Sequence, residues 1–213
     1  MTLLWDADGT VVYSQPWWED SFLFTSQHFG LHVPQGRDLK KVFGGMTLRQ
    51  MYERVVPESL DIEECLRFHV EYQSKTTHLI TLFEGEYEIL TDFDNLGVKQ
   101  AIVTSRTSRK LLSENLEDLG ILKFFKFIIC MEDVTSPKPH PQGIQLAMQR
   151  LKSEKKSTFM IGDTKYDIEA GQRAGVSTIG VLFGYEKDDE EFLALGADYY
   201  VNRFCDISKI VLS

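Results

Sequence analysis

The sequence predicts an α/β fold: a Rossmann-like three-layer core built on a parallel sheet, with a small all-helical domain inserted after the first strand. Three observations carry this. From about residue 98 onward, short apolar runs alternate with amphipathic stretches, as βαβ units require. A separate apolar run, Leu3-Leu4-Trp5, sits near the N-terminus and stops at Asp6-Ala7-Asp8-Gly9-Thr10. Between the two, residues 14–83 show helical patterns and no convincing strand.

Each element follows in order. Residues 2–5 form the first strand. Pro16 suits the first turn of a helix running to about Phe29. Residues 46–55 and 62–79 read as two further helices. Glu84-Gly85 marks the return to the core, giving domains 1–13 with 84–213 and 14–83. Residues 98–104 (VKQAIVT) are a strand. Residues 108–119 are a helix whose Leu111, Leu112, Leu116 and Leu119 share one stripe, closed by Gly120. Residues 127–131 (FIICM) are a strand and 143–151 a helix. Residues 158–162 are a strand, followed by a helix over 165–174 that Gly175 closes. Residues 177–182 are a strand, 188–195 a helix, 198–201 a strand, and a short helix ends the chain. The sheet then has about six strands.

Composition limits what such a fold can do. The 213 residues are 43% hydrophobic, enough for a sizeable core. No apolar run approaches the roughly 18 residues of a membrane span, and the N-terminus lacks the basic flank and apolar stretch of a signal peptide. Cys65, Cys130 and Cys205 are odd in number and far apart; they read as reduced thiols of a cytoplasmic protein. The net charge of −9 disfavours nucleic acid and anionic membranes as partners. The insertion carries seven basic and nine acidic residues, so most of the negative charge lies in the sheet domain.

That sheet domain places a polar group of useful chemistry at each strand end, where open α/β sheets bind ligands. After the first strand, Asp6 and Asp8 stand one residue apart: one can attack an electrophile and bind a metal while the other moves a proton. The next strand ends in Thr104-Ser105-Arg106, where a hydroxyl and backbone N–H groups at a helix start can hold phosphate oxygens. Ser136-Pro137-Lys138-Pro139-His140-Pro141 follows the third strand, and the flanking prolines restrict where the Lys138 ammonium can swing. The fourth strand ends in Gly162-Asp163-Thr164-Lys165-Tyr166-Asp167. Its two carboxylates suit Mg²⁺, a hard cation that takes oxygen ligands. A nucleophile, a proton donor, a hydroxyl, a lysine and metal-binding acids are the parts of an enzyme that works through an aspartyl-phosphate.

Asp6-x-Asp8-Gly-Thr10, Thr104-Ser105, Lys138-Pro139 and Gly162-Asp163-x-x-x-Asp167 resemble the four ordered motifs of the haloacid dehalogenase superfamily. The helical insertion between the first and second motifs resembles the phosphoglycolate-phosphatase-like branch. The resemblance implies Asp6 as nucleophile and Mg²⁺ ligand. It implies Asp8 as general acid and base, with its backbone carbonyl on the metal, and Thr10 as a residue orienting Asp8. Thr104 and the N–H of Ser105 would bind the transferred phosphoryl group, Lys138 would bridge it to Asp6, and Asp163 and Asp167 would hold the metal, Asp167 directly or through water. The implied function is Mg²⁺-dependent hydrolysis of a small phosphorylated metabolite, phosphoglycolate-like by resemblance, by a monomer or homodimer. Asp8 speaks against the dehalogenase and phosphonate-cleaving branches, which lack this acid. The alternatives are a phosphosugar mutase with the same motifs, against which Thr10 leans, and a catalytically silent binding protein. Two positions depart from the pattern: Tyr13 stands where Asp is frequent, and Thr164 where Ser is common.

Within the insertion, the glycines of Phe43-Gly44-Gly45-Met46 permit close backbone approach to a substrate, and Lys41 and Arg49 are candidate anion contacts. His28 and His32 are four residues apart, but Gly30 between them marks a helix end rather than a metal pair. His140 reads as a surface or structural residue. Of the adjacent Trp17 and Trp18, one belongs to the core and the other is a candidate for the inner surface of the insertion.

Overall fold

The computed structural model describes residues 1–34, 39, 46–184 and 190–212. The chain divides into two compact units, Met1–Tyr13 with Thr81–Ser213, and Ser14–Ile80. Among the described residues, no helix is long and apolar enough to cross a membrane.

The first unit is a parallel sheet of six strands in the order β3-β2-β1-β4-β5-β6. The strands are β1 (Thr2–Trp5), β2 (Lys99–Val103), β3 (Ile128–Ile129), β4 (Thr158–Gly162), β5 (Ser177–Val181) and β6 (Tyr199–Val201). Strand β1 lies between β2 and β4, with Trp5 level with both Ile102 and Ile161. The ends of β1, β2 and β4 therefore meet at one edge, and the Asp6 N–H continues the ladder to the Ile161 carbonyl at 2.8 Å.

Side chains alternate across the sheet, so both faces of these apolar strands need cover. On one face Leu4, Ala101, Val103 and Met160 pack against Ile144 and Ala147 of α6 (Gln142–Leu151) and Ala170 and Ala174 of α7 (Lys165–Ala174). On the other, the Trp5 ring stacks on Phe204 at 5.4 Å and meets Phe93 of α4 (Glu86–Asn95) at 6.3 Å. The three layers follow from this two-sided burial. Helix α5 (Arg109–Asp118) starts at the Ser108 cap, whose hydroxyl accepts the Leu111 N–H at 3.2 Å. Helices α8 (Glu190–Leu193) and α9 (Asp206–Val211) complete the unit.

Two elements of this unit differ most from the sequence reading. Strand β3 spans two residues rather than five, because the Cys130 N–H turns out of the ladder to the Asp133 carboxylate at 2.8 Å. Helix α4 is absent from that reading. Its apolar residues Ile89, Leu90 and Phe93 are interleaved with Glu86, Glu88, Asp92 and Asp94, and it begins at Gly85 with φ of 75°.

The second unit holds α1 (Gln15–His28), α2 (Leu48–Glu53) and α3 (Ile62–Lys75), then a short 3₁₀ turn over Thr77–Leu79 that divides the helix expected across 62–79. Phe22, Leu39, Met51, Tyr52 and Cys65 form its core. Trp17 is buried, its indole N–H donating to the Gln73 carbonyl at 3.0 Å, and Trp18 packs on the core cluster. His28 closes α1 and stacks on Phe68 at 4.1 Å.

Candidate active site

The described residues of the site belong to the first unit. Ala7 follows β1, and its carbonyl faces the N–H groups of Val11 and Val12, both at 2.9 Å. The chain folds back tightly there, aided by Gly9 at φ 76°. Gly184, just after β5, packs on this turn so closely that a Cβ on it would lie 1.8 Å from the Gly9 carbonyl oxygen. Only glycine fits. At Tyr13 the backbone exchanges two hydrogen bonds with Thr81, at 2.9 and 3.2 Å, so the Tyr13 side chain leaves this main-chain pairing intact.

Lys138 is the centre of the cluster. Its ammonium donates to Asp6 Oδ1 at 2.7 Å, to Asp167 Oδ1 at 2.5 Å and to the Val103 carbonyl at 3.1 Å. These three bonds use its three hydrogens. Burial opposes the charged form, but Asp167 and Asp6 outweigh it and raise the ammonium's pKa well above the usual lysine value.

Asp163 and Asp167 are fully buried. Asp167 caps its own helix: its Oδ2 accepts from the Thr164 N–H at 3.0 Å and from the Thr164 hydroxyl, in a capping box. Threonine does here what serine would. Gly162 is required by the same arrangement, since a Cβ there would sit 2.3 Å from Asp167 Cβ. The Thr10 hydroxyl reaches Asp163 Oδ1 at 3.5 Å.

Ligand oxygens of Asp6, Asp163 and Asp167 lie within 4.8 Å of one another. Burial, followed by the charges of Asp167 and Asp163, pushes the Asp6 carboxyl up to about 8 despite Lys138. Lys138 alone therefore does not hold Asp6 in the acidic range. With all three acids ionised, the buried carboxylates would outnumber the one ammonium by two charges, and an all-oxygen set of that charge fits a divalent cation, whose binding would favour the ionised Asp6. The Asp8 carboxylate stands outside this group.

Asp8 instead faces Arg106. The guanidinium grips both carboxylate oxygens, Nε to Oδ2 at 2.7 Å and Nη2 to Oδ1 at 2.6 Å, and its Nη1 donates to Asn115 Oδ1 at 2.9 Å. The Arg106 backbone is fixed as well. Its N–H donates to the Thr104 hydroxyl oxygen at 3.2 Å and its carbonyl accepts from the Met131 N–H at 3.1 Å. Thr104 Oγ1, used as an acceptor, keeps its own hydrogen to donate. Ser105 is exposed beside it.

The sequence profile described as haloacid dehalogenase-like hydrolase matches residues 3–181. The chain belongs to that family. Pyrophosphatase PpaX of Oceanobacillus iheyensis is 32% identical over 210 residues, covering 99% of this chain and 96% of its own. Among solved structures, a predicted phosphoglycolate phosphatase of Haemophilus somnus is 23% identical with a TM-score of 0.87, covering 98% of this chain and 96% of its own. A haloacid dehalogenase-like family protein of Streptococcus pneumoniae is 21% identical with a TM-score of 0.85, covering 98% and 97%. These two share the haloacid dehalogenase-like fold.

The structure thus brings Lys138 into contact with Asp6 and Asp167, with Asp163 beside them, and sets Asp8 and Thr104 around Arg106. Sequence reasoning gave Arg106 no role, although it directly follows Thr104-Ser105 in a motif of this hydrolase family. Asn115 and Gly184 also escaped it. Arg49 pairs with Glu63 at 2.6 Å, and the His140 ring accepts the Gln142 N–H at 3.2 Å. Lys41 and the Phe43-Gly44-Gly45 stretch lie outside the described residues.

Proposed function

We propose that this protein is a Mg²⁺-dependent phosphatase of the cytoplasm that hydrolyses small phosphorylated metabolites, phosphoglycolate-like esters or pyrophosphate, through a phosphorylated Asp6. The observation that carries this is the buried contact of Lys138 with Asp6 and Asp167 beside Asp163. It supplies a nucleophile, a fixed cation and a hard-metal donor set at one strand edge. The relative named a pyrophosphatase supports the substrate class.

In this reading Asp6 attacks phosphorus, and the P–O bond to the leaving group breaks. The leaving oxygen takes a proton from Asp8. Asp8 then takes a proton from water, whose oxygen attacks phosphorus. The bond between Asp6 and phosphorus breaks, releasing phosphate and restoring the carboxylate. Thr104 donates its hydroxyl to a phosphoryl oxygen, beside the Ser105 N–H. Lys138 gives up its longest bond, that to Val103, to meet another. Asp6, Asp163 and the Asp8 carbonyl would hold Mg²⁺, and Asp167 would support it, directly or through water. When bound, Mg²⁺ polarises the phosphoryl group and balances the charge of the acids. The helical unit is the cap domain of this enzyme.

The test is phosphate release from a panel of phosphorylated metabolites with Mg²⁺. Turnover by the wild-type protein, abolished in a folded Asp6→Asn variant, is expected. Strict dependence on a bisphosphate activator would favour a mutase, and equal inactivity of both proteins would mean a binding protein.

A further inference from the structure

The geometry points to Arg106 as the residue that selects substrates whose leaving group carries a negative charge. This inference rests on the hydrolase reading of the same site and names its substrate class.

The leaving group must sit where Asp8 can protonate it. Its oxygen takes a proton from Asp8, so it must reach an Asp8 oxygen. Both oxygens are held by Arg106, at 2.6 and 2.7 Å. A leaving group at Asp8 is therefore within reach of the guanidinium as well. The transferred phosphoryl group is no farther off in the chain: Thr104, its proposed ligand, bonds the Arg106 N–H. Arg106 stands between the two ends of the scissile bond.

The pairing also sets a condition. While Arg106 grips Asp8 bidentately, each carboxylate oxygen has a lone-pair position taken by a guanidinium N–H, and the proton that Asp8 must carry for the leaving oxygen competes with that pairing. The Arg106 side chain is only 11% exposed, against 32% for Asp8, and a buried guanidinium that loses its partner needs another. A phosphate or carboxylate on the leaving group provides one with the same bidentate geometry. An uncharged leaving group does not, and leaves the Asp8–Arg106 pair closed. Asn115, buried on α5, holds Nη1 throughout, so the exchange turns the fork without releasing the side chain.

Inorganic pyrophosphate and phenyl phosphate are the probes, the first with an anionic leaving group and the second without. kcat/KM is measured for both with the full chain and Mg²⁺, in wild type, Arg106→Ala and Arg106→Lys. The pyrophosphate-to-phenyl phosphate ratio is expected to fall about 100-fold in Arg106→Ala, from loss of charge-assisted bonds. Arg106→Lys, which keeps the charge but not the fork, should recover part of that ratio. The comparison is internal to each preparation, so an inactive fraction cancels. A ratio unchanged within about threefold, with both substrates turned over, would overturn this inference and leave the hydrolase reading standing. Wild-type protein inactive on both and on the wider panel of phosphorylated metabolites would overturn the two together.

Discussion

The Lys138 ammonium sits 2.7 Å from Asp6 Oδ1 and is shared with Asp167. One cation thus joins the proposed nucleophile, at the end of β1, to the helix that follows β4. It can do so because Gly162 lets Asp167 fold back against the strand end, and because the Asp167 carboxylate also caps its own helix through Thr164.

Replacing Lys138 by Met removes the cation and leaves its carboxylate partners uncompensated. Loss of turnover by about 10³-fold is expected, from loss of charge stabilisation at the reacting centre. Stability should fall by about 3–5 kcal/mol, the usual cost of breaking one side of a buried ion pair. Steady-state kinetics and urea unfolding measure the two effects. Unchanged turnover would remove Lys138 from the chemistry.

The three clustered acids predict a metal-dependent thermal shift. Saturating Mg²⁺ should raise Tm in wild type, because a cation that binds only the folded state stabilises it. Asp163→Asn should weaken the shift by at least tenfold in Mg²⁺ concentration. Chelation should abolish phosphate release reversibly. An identical Mg²⁺ response in wild type and Asp163→Asn would place the cation elsewhere.

Gly162→Ala tests the packing beneath the site. Its Cβ would lie 2.3 Å from Asp167 Cβ and Cγ, so the Asp167 carboxylate must move. Destabilisation of about 1–3 kcal/mol is expected from overpacking, with loss of the Mg²⁺-induced shift. A variant that keeps both stability and metal response would show that Asp167 is not held by this contact.

His69 predicts a pH dependence in the helical unit. It is buried, its Nδ1 shares a 2.9 Å hydrogen bond with the Tyr52 hydroxyl, and burial lowers its pKa to about 3. The unfolded chain binds this proton near pH 6.5, and the folded protein only near pH 3. Stability is therefore complete above about 6.5 and declines as pH falls towards 3, by up to about 1.4 kcal/mol per unit. From pH 7 to 5 the wild type should lose about 2 kcal/mol more than His69→Gln. Denaturant unfolding at both pH values decides it, and parallel losses would contradict it.

Much of the sheet was legible because apolar runs end abruptly at polar motifs, and four such ends in order point to one edge. Asp6, Lys138, Asp163 and Asp167 were legible for the same reason. Arg106 was not: its contact with Asp8 spans 98 residues and arises only from strand register. Helix α4 was hidden by acids among its apolar residues, and the end of β3 by a side chain that competes for a backbone N–H. The close approach of Gly184 to Gly9 leaves no pattern in sequence, since each glycine reads alone as a turn.

Phosphorylation of Asp6 is the step on which the hydrolase reading turns. Rapid quenching during turnover of radiolabelled substrate, followed by peptide mapping, tests it most directly. The account predicts acid-stable, base-labile label on the peptide containing Asp6, absent in Asp6→Asn. Continued phosphate release with no protein-bound label, or with label on another residue, would contradict it.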